Sequence, residues 1–264
     1  MRLAHDIFDG PADATPLVIA HGLFGSARNW RGLAARLAER RRVISVDLRN
    51  HGDSPRDARG DYPAMADDLA ETIRAEAGGA SGGRAHLLGH SMGGKAAMTL
   101  ALTRPELLDR LIVADIAPVA YDHAHGDYIA AMRAVDLRRV ARRSDAEPML
   151  AEAVPSPGLR AFLLTNLAFE DGRARWRPDL DAIAANMEAL LGFPEGLAAS
   201  HSGPTLFLAG AASDYLAPAR RAAAAARFPA AQFVVVEGAG HWLHADRPET
   251  VLEAVEAFLA LHQK

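Results

Sequence analysis

Six short apolar segments recur along the 264-residue chain, each bounded by glycine, proline, histidine or charged residues. They are residues 17–20, 43–46, 85–88, 111–114, 205–209 and 232–236. Each segment is too short for a buried helix and rich in Val, Ile and Leu, which is typical of a strand covered on both faces. Between them lie stretches of helical length at residues 30–39, 65–77, 95–102 and 218–227. This alternation predicts an α/β fold with a mostly parallel, doubly wound sheet.

The alternation stops between residues 118 and 203. In this region helical patterns follow one another without a strand pattern, at residues 128–135, 148–153, 159–168 and 180–190. A connection of this length with helices of its own indicates an inserted helical cap. We therefore predict a core domain of residues 1–117 and 204–264 and a cap of residues 118–203. We expect the cap to cover the carboxyl ends of the strands, where doubly wound sheets bind ligands.

A serine, Ser91, lies between a predicted strand and a predicted helix in the segment Gly89-His90-Ser91-Met92-Gly93-Gly94. The pattern G-x-S-x-G at a strand-to-helix turn is typical of a nucleophile elbow, in which the serine oxygen stands above the sheet. Gly89 and Gly93 are required because the turn brings strand and helix too close for a Cβ atom. A serine hydroxyl becomes a good nucleophile only when a base accepts its proton. The sequence therefore predicts a nucleophilic serine with partners elsewhere in the chain.

The best candidate for the base is His241, in a glycine-flanked loop after the last predicted strand. Two carboxylates could orient its ring, Asp115 after residues 111–114 and Asp214 after residues 205–209. Both lie between the serine and the histidine in the sequence, so chain order does not select one. A carboxylate at the end of a central strand is well fixed, which favours Asp115. The nearby His244 is interpreted as structural.

An oxyanion hole is predicted from two backbone amides. The Met92 amide lies at the start of the elbow helix, where unpaired N–H groups favour negative charge. The turn beginning at His21-Gly22 can direct the Leu23 amide to the same place. We also expect Phe24, His90 and Trp242 to line the substrate pocket; for His90, the alternative is a turn residue beside the nucleophile.

Composition excludes several other classes of function. A net charge of −4 and a pI near 6.3 provide no basic surface for nucleic acid. The chain has no cysteine, no apolar N-terminal signal and no stretch long enough to span a membrane, so we expect a cytoplasmic protein. It also lacks metal-ligand, phosphate-loop and dinucleotide motifs, so no metal or cofactor is implied. The segment 47–54 is interpreted as a loop tied by its own side chains, and Lys95 as a solvated or salt-bridged residue.

Together these residues resemble the α/β-hydrolase superfamily, in particular the small YbfF-type esterases and related mitochondrial abhydrolase domain-containing proteins. The similarity covers nearly the whole chain, including HGLFGS at His21, DLRNHGDSP at Asp47, GHSMGGK at Gly89, RPELLDRLIVADIAP at Arg104, YIAAMRA at Tyr128, LLTNL at Leu163, GPTLFLAG at Gly203 and GHWLHADRPE at Gly240. The resemblance implies a serine esterase or thioesterase with Ser91 as nucleophile, His241 as base and Asp115 as acid. Asp214 stands near the more usual position of the acid in the superfamily, so both carboxylates stay candidates.

The function expected from the sequence is hydrolysis of small acyl esters or thioesters through an acyl-enzyme intermediate. Carbon–carbon bond hydrolases and cofactor-free perhydrolases share the serine elbow and are alternatives on the same residues. A non-catalytic ligand-binding protein on the same fold is an alternative of another class. The expected partner is a small-molecule substrate, with no nucleic acid and no membrane, and nothing in the sequence indicates an oligomeric state.

Overall fold

The computed structural model describes residues 1–78, 81–122, 125–197 and 200–261. Within these ranges seven strands form one sheet in the order β1-β3-β2-β4-β5-β8-β9, and two strands form a separate hairpin. The strands are β1 His5–Phe8, β2 Leu17–Ala20, β3 Val43–Val46, β4 Ala85–His90, β5 Leu108–Ala114, β6 Leu167–Glu170, β7 Arg173–Trp176, β8 Thr205–Gly210 and β9 Ala231–Val236. Only β1 runs antiparallel to its neighbour in the large sheet. The predicted α/β architecture is confirmed.

Helices cover both faces of the large sheet. Those of the core are α1 Arg31–Leu37, α2 Tyr62–Glu76, α3 Met92–Thr103, α9 Pro218–Arg227, α10 Leu243–Asp246 and α11 Pro248–Ala260. Two buried apolar clusters lie on opposite faces: Leu17 and Ile19 of β2 belong to the cluster beneath α1 and α11, and Val18 and Ala20 to the cluster beneath α2 and α3. All four residues of β2 are fully buried, which explains why its sequence is apolar throughout.

In the described part of the chain between β5 and β8 there are five α-helices and the β6–β7 hairpin. The helices are α4 His125–Ala134, α5 Arg143–Leu150, α6 Pro157–Leu164, α7 Leu180–Ala185 and α8 Met187–Leu191. The expectation of a cap without strands is wrong, because the helix predicted for residues 159–168 ends at Leu164 and the chain enters the hairpin. Asp171 and Gly172 both adopt positive φ, 49° and 74°, as a two-residue type I′ hairpin turn requires.

The topology brings the candidate residues to one edge of the sheet. Ser91 directly follows β4, Asp115 directly follows β5, and His241 lies in the loop after β9. These three strands run parallel within the sheet, so their carboxyl ends share an edge, the usual ligand-binding edge of doubly wound proteins. No helix in the described ranges has the length and apolar character needed to cross a bilayer.

Candidate active site

Ser91 occupies a sharp turn between β4 and α3. Its φ of 52° and ψ of −118° lie outside the regions that most residues adopt, and its backbone N–H donates to the Ala114 carbonyl at 3.0 Å. A Cβ atom on Gly89 would lie 2.3 Å from the Gly93 carbonyl oxygen, and one on Gly93 would lie 2.4 Å from the Ala20 carbonyl oxygen. The two glycines therefore allow the turn to close, and the turn presents the Ser91 side chain at the sheet edge.

A continuous chain of hydrogen bonds links Ser91, His241 and Asp115. His241 Nε2 lies 3.1 Å from Ser91 Oγ, and His241 Nδ1 lies 2.8 Å from Asp115 Oδ2. Because a carboxylate accepts, the proton on Nδ1 points to Asp115, which leaves Nε2 free to accept the serine proton. Asp115 is fully buried, and its two oxygens also accept from the Gly210 N–H at 3.0 Å and from the Ser213 hydroxyl. These bonds fix the position of the carboxylate.

The structure brings Asp115 to His241, and it does not bring Asp214 there. The Asp214 side chain is exposed, and its backbone carbonyl accepts from the Arg220 guanidinium. Among the hydrogen bonds of the described residues, none joins the Asp214 carboxylate to His241. The residue of this loop that reaches the buried carboxylate is Ser213.

Leu23 and Met92, whose amides are the predicted oxyanion hole, line one cavity together with Ser91. A Cβ atom on Gly22 would lie 3.1 Å from the Ser91 Cβ, so this turn passes directly against the serine. His21 fixes the turn, because its Nε2 accepts from the Leu48 N–H at 2.9 Å and its Nδ1 lies 2.7 Å from the Gly22 carbonyl oxygen. Burial lowers the pKa of His21 to about 4, so the ring is neutral. In the described hydrogen-bond network neither amide has a partner, which leaves both for a ligand.

Two cavities meet at Ser91. The outer cavity has a volume of about 180 Å³ and is lined by His241 and by the predicted pocket residues Phe24, His90 and Trp242. The inner cavity is about 30 Å³ and lies on the side of Met92. Ser91, Leu23 and Tyr215 line both.

Comparison with known proteins identifies the family of this chain. The model of the alpha/beta hydrolase family matches residues 17–254. The chain belongs to the alpha/beta hydrolase family. The sn-1-specific diacylglycerol lipase ABHD11 of Mus musculus is 42% identical over 268 residues, which cover 98% of this chain and 86% of that protein. The esterase YbfF of Escherichia coli (strain K12) is 38% identical over 93% of each chain.

Solved structures place this hydrolase in the same group. A marine microorganism esterase superposes with a TM-score of 0.92 at 34% identity, over 98% of this chain and 99% of that one. The predicted fold and the resemblance are therefore confirmed, and the chain is an enzyme of the hydrolase class.

Sequence reasoning did not identify Tyr215, whose ring lies against His241 in this hydrolase. The Tyr215 ring stacks on the His241 ring with centroids 4.0 Å apart and planes 21° apart. On the other side, His90 Nε2 donates to the His241 carbonyl oxygen at 2.9 Å, and burial lowers the pKa of His90 well below its usual value. His244 stacks on Trp30 with centroids 4.2 Å apart, which agrees with its structural interpretation. These contacts fix the loop that carries His241.

The expectation for Lys95 is wrong. This residue of α3 is only 2% exposed, and none of the ion pairs among the described residues includes it. Its Nζ donates to the backbone carbonyls of Leu191 at 2.8 Å and Gly192 at 2.5 Å, at the end of α8 in the cap. Its ammonium group lies 4.7 Å from the centre of the Tyr121 ring. Burial lowers the pKa of Lys95 to about 7.

The interpretation of segment 47–54 as a tied loop is confirmed. Asp47 Oδ1 accepts from the Ala27 N–H at 2.7 Å, and Oδ2 accepts from the Asp53 N–H at 2.8 Å. The Asp47 carboxylate therefore fixes two loops. In the described ranges, no group of three His, Cys, Asp or Glu side chains is arranged to hold a metal ion.

Proposed function

We propose that this hydrolase cleaves small acyl esters or thioesters through an acyl-enzyme intermediate on Ser91. The observation that carries the proposal is the hydrogen-bonded chain from Ser91 Oγ through His241 to the buried Asp115. The esterase and lipase names of the relatives support an ester substrate. We assign the acid to Asp115 in preference to Asp214, because only Asp115 contacts the His241 ring.

In the first step, His241 Nε2 accepts the Ser91 proton while Oγ attacks the acyl carbon. The buried Asp115 holds the Nδ1–H and stabilises the imidazolium that forms. The imidazolium then donates its proton to the oxygen or sulfur of the leaving group, which departs as alcohol or thiol. Ser91 is left acylated.

The negative oxygen of each tetrahedral intermediate accepts from the Leu23 and Met92 amides, which we assign as the oxyanion hole. Removal of one such donor typically costs about two to three powers of ten in rate. In the second step, His241 removes a proton from water, which attacks the acyl carbon, and Ser91 leaves with the proton returned to its oxygen. The cycle requires only groups of this chain, the substrate and water.

The outer cavity of about 180 Å³ fits a small organic molecule. A net charge of −4 makes nucleic acid an unfavourable partner. We assign residues 1–117 and 204–264 to the catalytic core and residues 118–203 to the cap over this cavity. Location in the cytoplasm stays a prediction.

The test is hydrolysis of p-nitrophenyl butyrate by native protein, Ser91→Ala and the control Ser202→Ala, an exposed serine outside both cavities. We expect the Ser91 variant to lose the activity by about six powers of ten and the control to keep it. A fluorophosphonate probe should label Ser91 of the native protein, as located by peptide mass spectrometry. Equal rates for native protein and Ser91→Ala, or a native protein that the probe leaves unlabelled, would contradict the proposal.

A further inference from the structure

We propose that the inner cavity is the acyl subsite of this hydrolase and that it restricts the substrate to short acyl chains. The inference rests on the proposed function, because it assigns the two sides of the ester relative to Ser91. In the same assignment, the outer cavity holds the alcohol or thiol part of the substrate.

The position of His241 shows on which side of the acyl carbon the leaving group lies. The imidazolium must reach both Ser91 Oγ and the leaving atom, so the leaving group lies on the His241 side of the acyl carbon. Only the outer cavity is lined by His241. The oxyanion points to the Leu23 and Met92 amides, so the acyl chain takes the remaining direction. The inner cavity lies there, because it borders Ser91, excludes His241 and extends to Met187 and Leu190 of α8.

The inner cavity is small, and its wall combines apolar side chains with Lys95 and the tyrosines Tyr62, Tyr121 and Tyr215. Its volume of about 30 Å³ corresponds to about two water molecules, which leaves room for only a short alkyl group. Ile116 contributes to its wall from the core, and Met187, Leu190 and Leu191 contribute from the cap helix α8. A longer acyl chain would have to displace α8.

Core side chains hold α8 in place. The Tyr62 hydroxyl donates to the Leu190 carbonyl at 2.5 Å, and Lys95 Nζ donates to the carbonyls of Leu191 and Gly192. The Tyr121 N–H also donates to the Leu191 carbonyl, at 2.9 Å. The last carbonyls of a helix usually bond to water or to following residues, whereas here Tyr62 and Lys95 of the core and Tyr121 of the cap bind them. This wall of the cavity is therefore rigid, and Lys95 is one of its positioning residues.

The experiment measures kcat/KM for p-nitrophenyl acetate, butyrate, octanoate and dodecanoate, which share one leaving group. Met187→Ala enlarges the inner cavity, and Phe162→Ala is the matched control, since both residues are half-buried in the cap and Phe162 lines only the outer cavity. We expect native protein to lose about tenfold or more from butyrate to octanoate. Met187→Ala should raise the octanoate-to-butyrate ratio about tenfold, and Phe162→Ala should leave that ratio within about twofold.

A second panel varies the alcohol of butyrate esters from small to bulky and tests the outer cavity. Phe162→Ala should raise kcat/KM for the bulky alcohols relative to the small ones, and Met187→Ala should not. Octanoate turnover equal to butyrate turnover in native protein, or an acyl-length profile that follows Phe162 and not Met187, would overturn the inference. Loss of all Ser91-dependent hydrolysis, measured against Ser91→Ala, would instead overturn the proposed function.

Discussion

Replacement of Lys95 by Met should change how the stability of the protein depends on pH. The substitution keeps an unbranched side chain of similar length and removes the buried amine. In the folded protein burial lowers the pKa of Lys95 to about 7 from an ordinary 10.5. Between these two values the unfolded chain binds a proton that the folded chain has lost, so the free energy of unfolding of the native protein rises with pH.

The size of the effect follows from the two pKa values. Each pH unit between the two pKa values adds about 1.4 kcal/mol to the free energy of unfolding. Between about pH 6.5 and 9.5, partial titration at both ends reduces the sum to roughly 3 kcal/mol. Burial raises the pKa of Tyr62 and Tyr121, the rings nearest Lys95, so neither ring titrates in this window.

The assay is urea unfolding of native protein and Lys95→Met at several pH values. All other titrating groups are common to both proteins, so the difference between their unfolding free energies isolates Lys95. We expect the native protein to gain about 3 kcal/mol relative to the variant between pH 6.5 and 9.5. The chain has only two lysines, Lys95 and Lys264, so NMR of lysine-labelled protein can read the titration directly. A difference that is constant with pH would refute the reasoning, because the carbonyls of Leu191 and Gly192 would then hold the amine fully charged.

Three further predictions concern the catalytic residues. Asp115→Asn should lower kcat by about four powers of ten, and Asp214→Asn should change it by less than about threefold, as measured by steady-state ester hydrolysis. Tyr215→Leu removes the ring stacked on His241 and should lower kcat about tenfold, whereas an unchanged kcat would exclude this positioning role. Gly93→Ala places a Cβ 2.4 Å from the Ala20 carbonyl, so soluble protein with native activity and native melting temperature would contradict the strained-turn description.

The central strands could be predicted from sequence because burial on both faces leaves a continuous apolar signal. The predicted bounds 17–20 and 43–46 match β2 and β3. β1 was missed because it is a half-exposed edge strand with the sequence His-Asp-Ile-Phe, and the hairpin β6–β7 because Leu167 and Ala168 continue an apolar helical pattern. In both cases the pairing partner, and not the local sequence, determines the strand.

In the candidate site, too, some residues have a local sequence signal and others depend on contacts that only the fold creates. Ser91 and His241 have local signals, a strand-to-helix glycine pattern and a glycine-flanked loop after a strand. The choice between Asp115 and Asp214 needed the sheet, because it depends on which carboxylate faces the ring across two neighbouring loops. Lys95 was misjudged because its partners, the carbonyls at the end of α8, lie nearly a hundred residues away and belong to backbone that carries no residue-specific signal.

A common backbone feature joins the chemistry to the attachment of the cap. Four adjacent strands, β3, β2, β4 and β5, are each followed by a non-glycine residue with positive φ, namely Asn50 at 65°, Phe24 at 57°, Ser91 at 52° and Asp115 at 52°. Such a conformation costs about 1–3 kcal/mol and persists only where the surroundings require it. Ser91 and Asp115 carry the hydrogen-bonded chain to His241. The Asn50 carbonyl accepts from the Asp179 N–H at 2.8 Å, and the Phe24 carbonyl accepts from the Asn166 side chain at 2.7 Å, so these two bind the cap. The doubly covered sheet therefore offsets strain at one edge, where residues with positive φ hold both the proposed reacting groups and the cap.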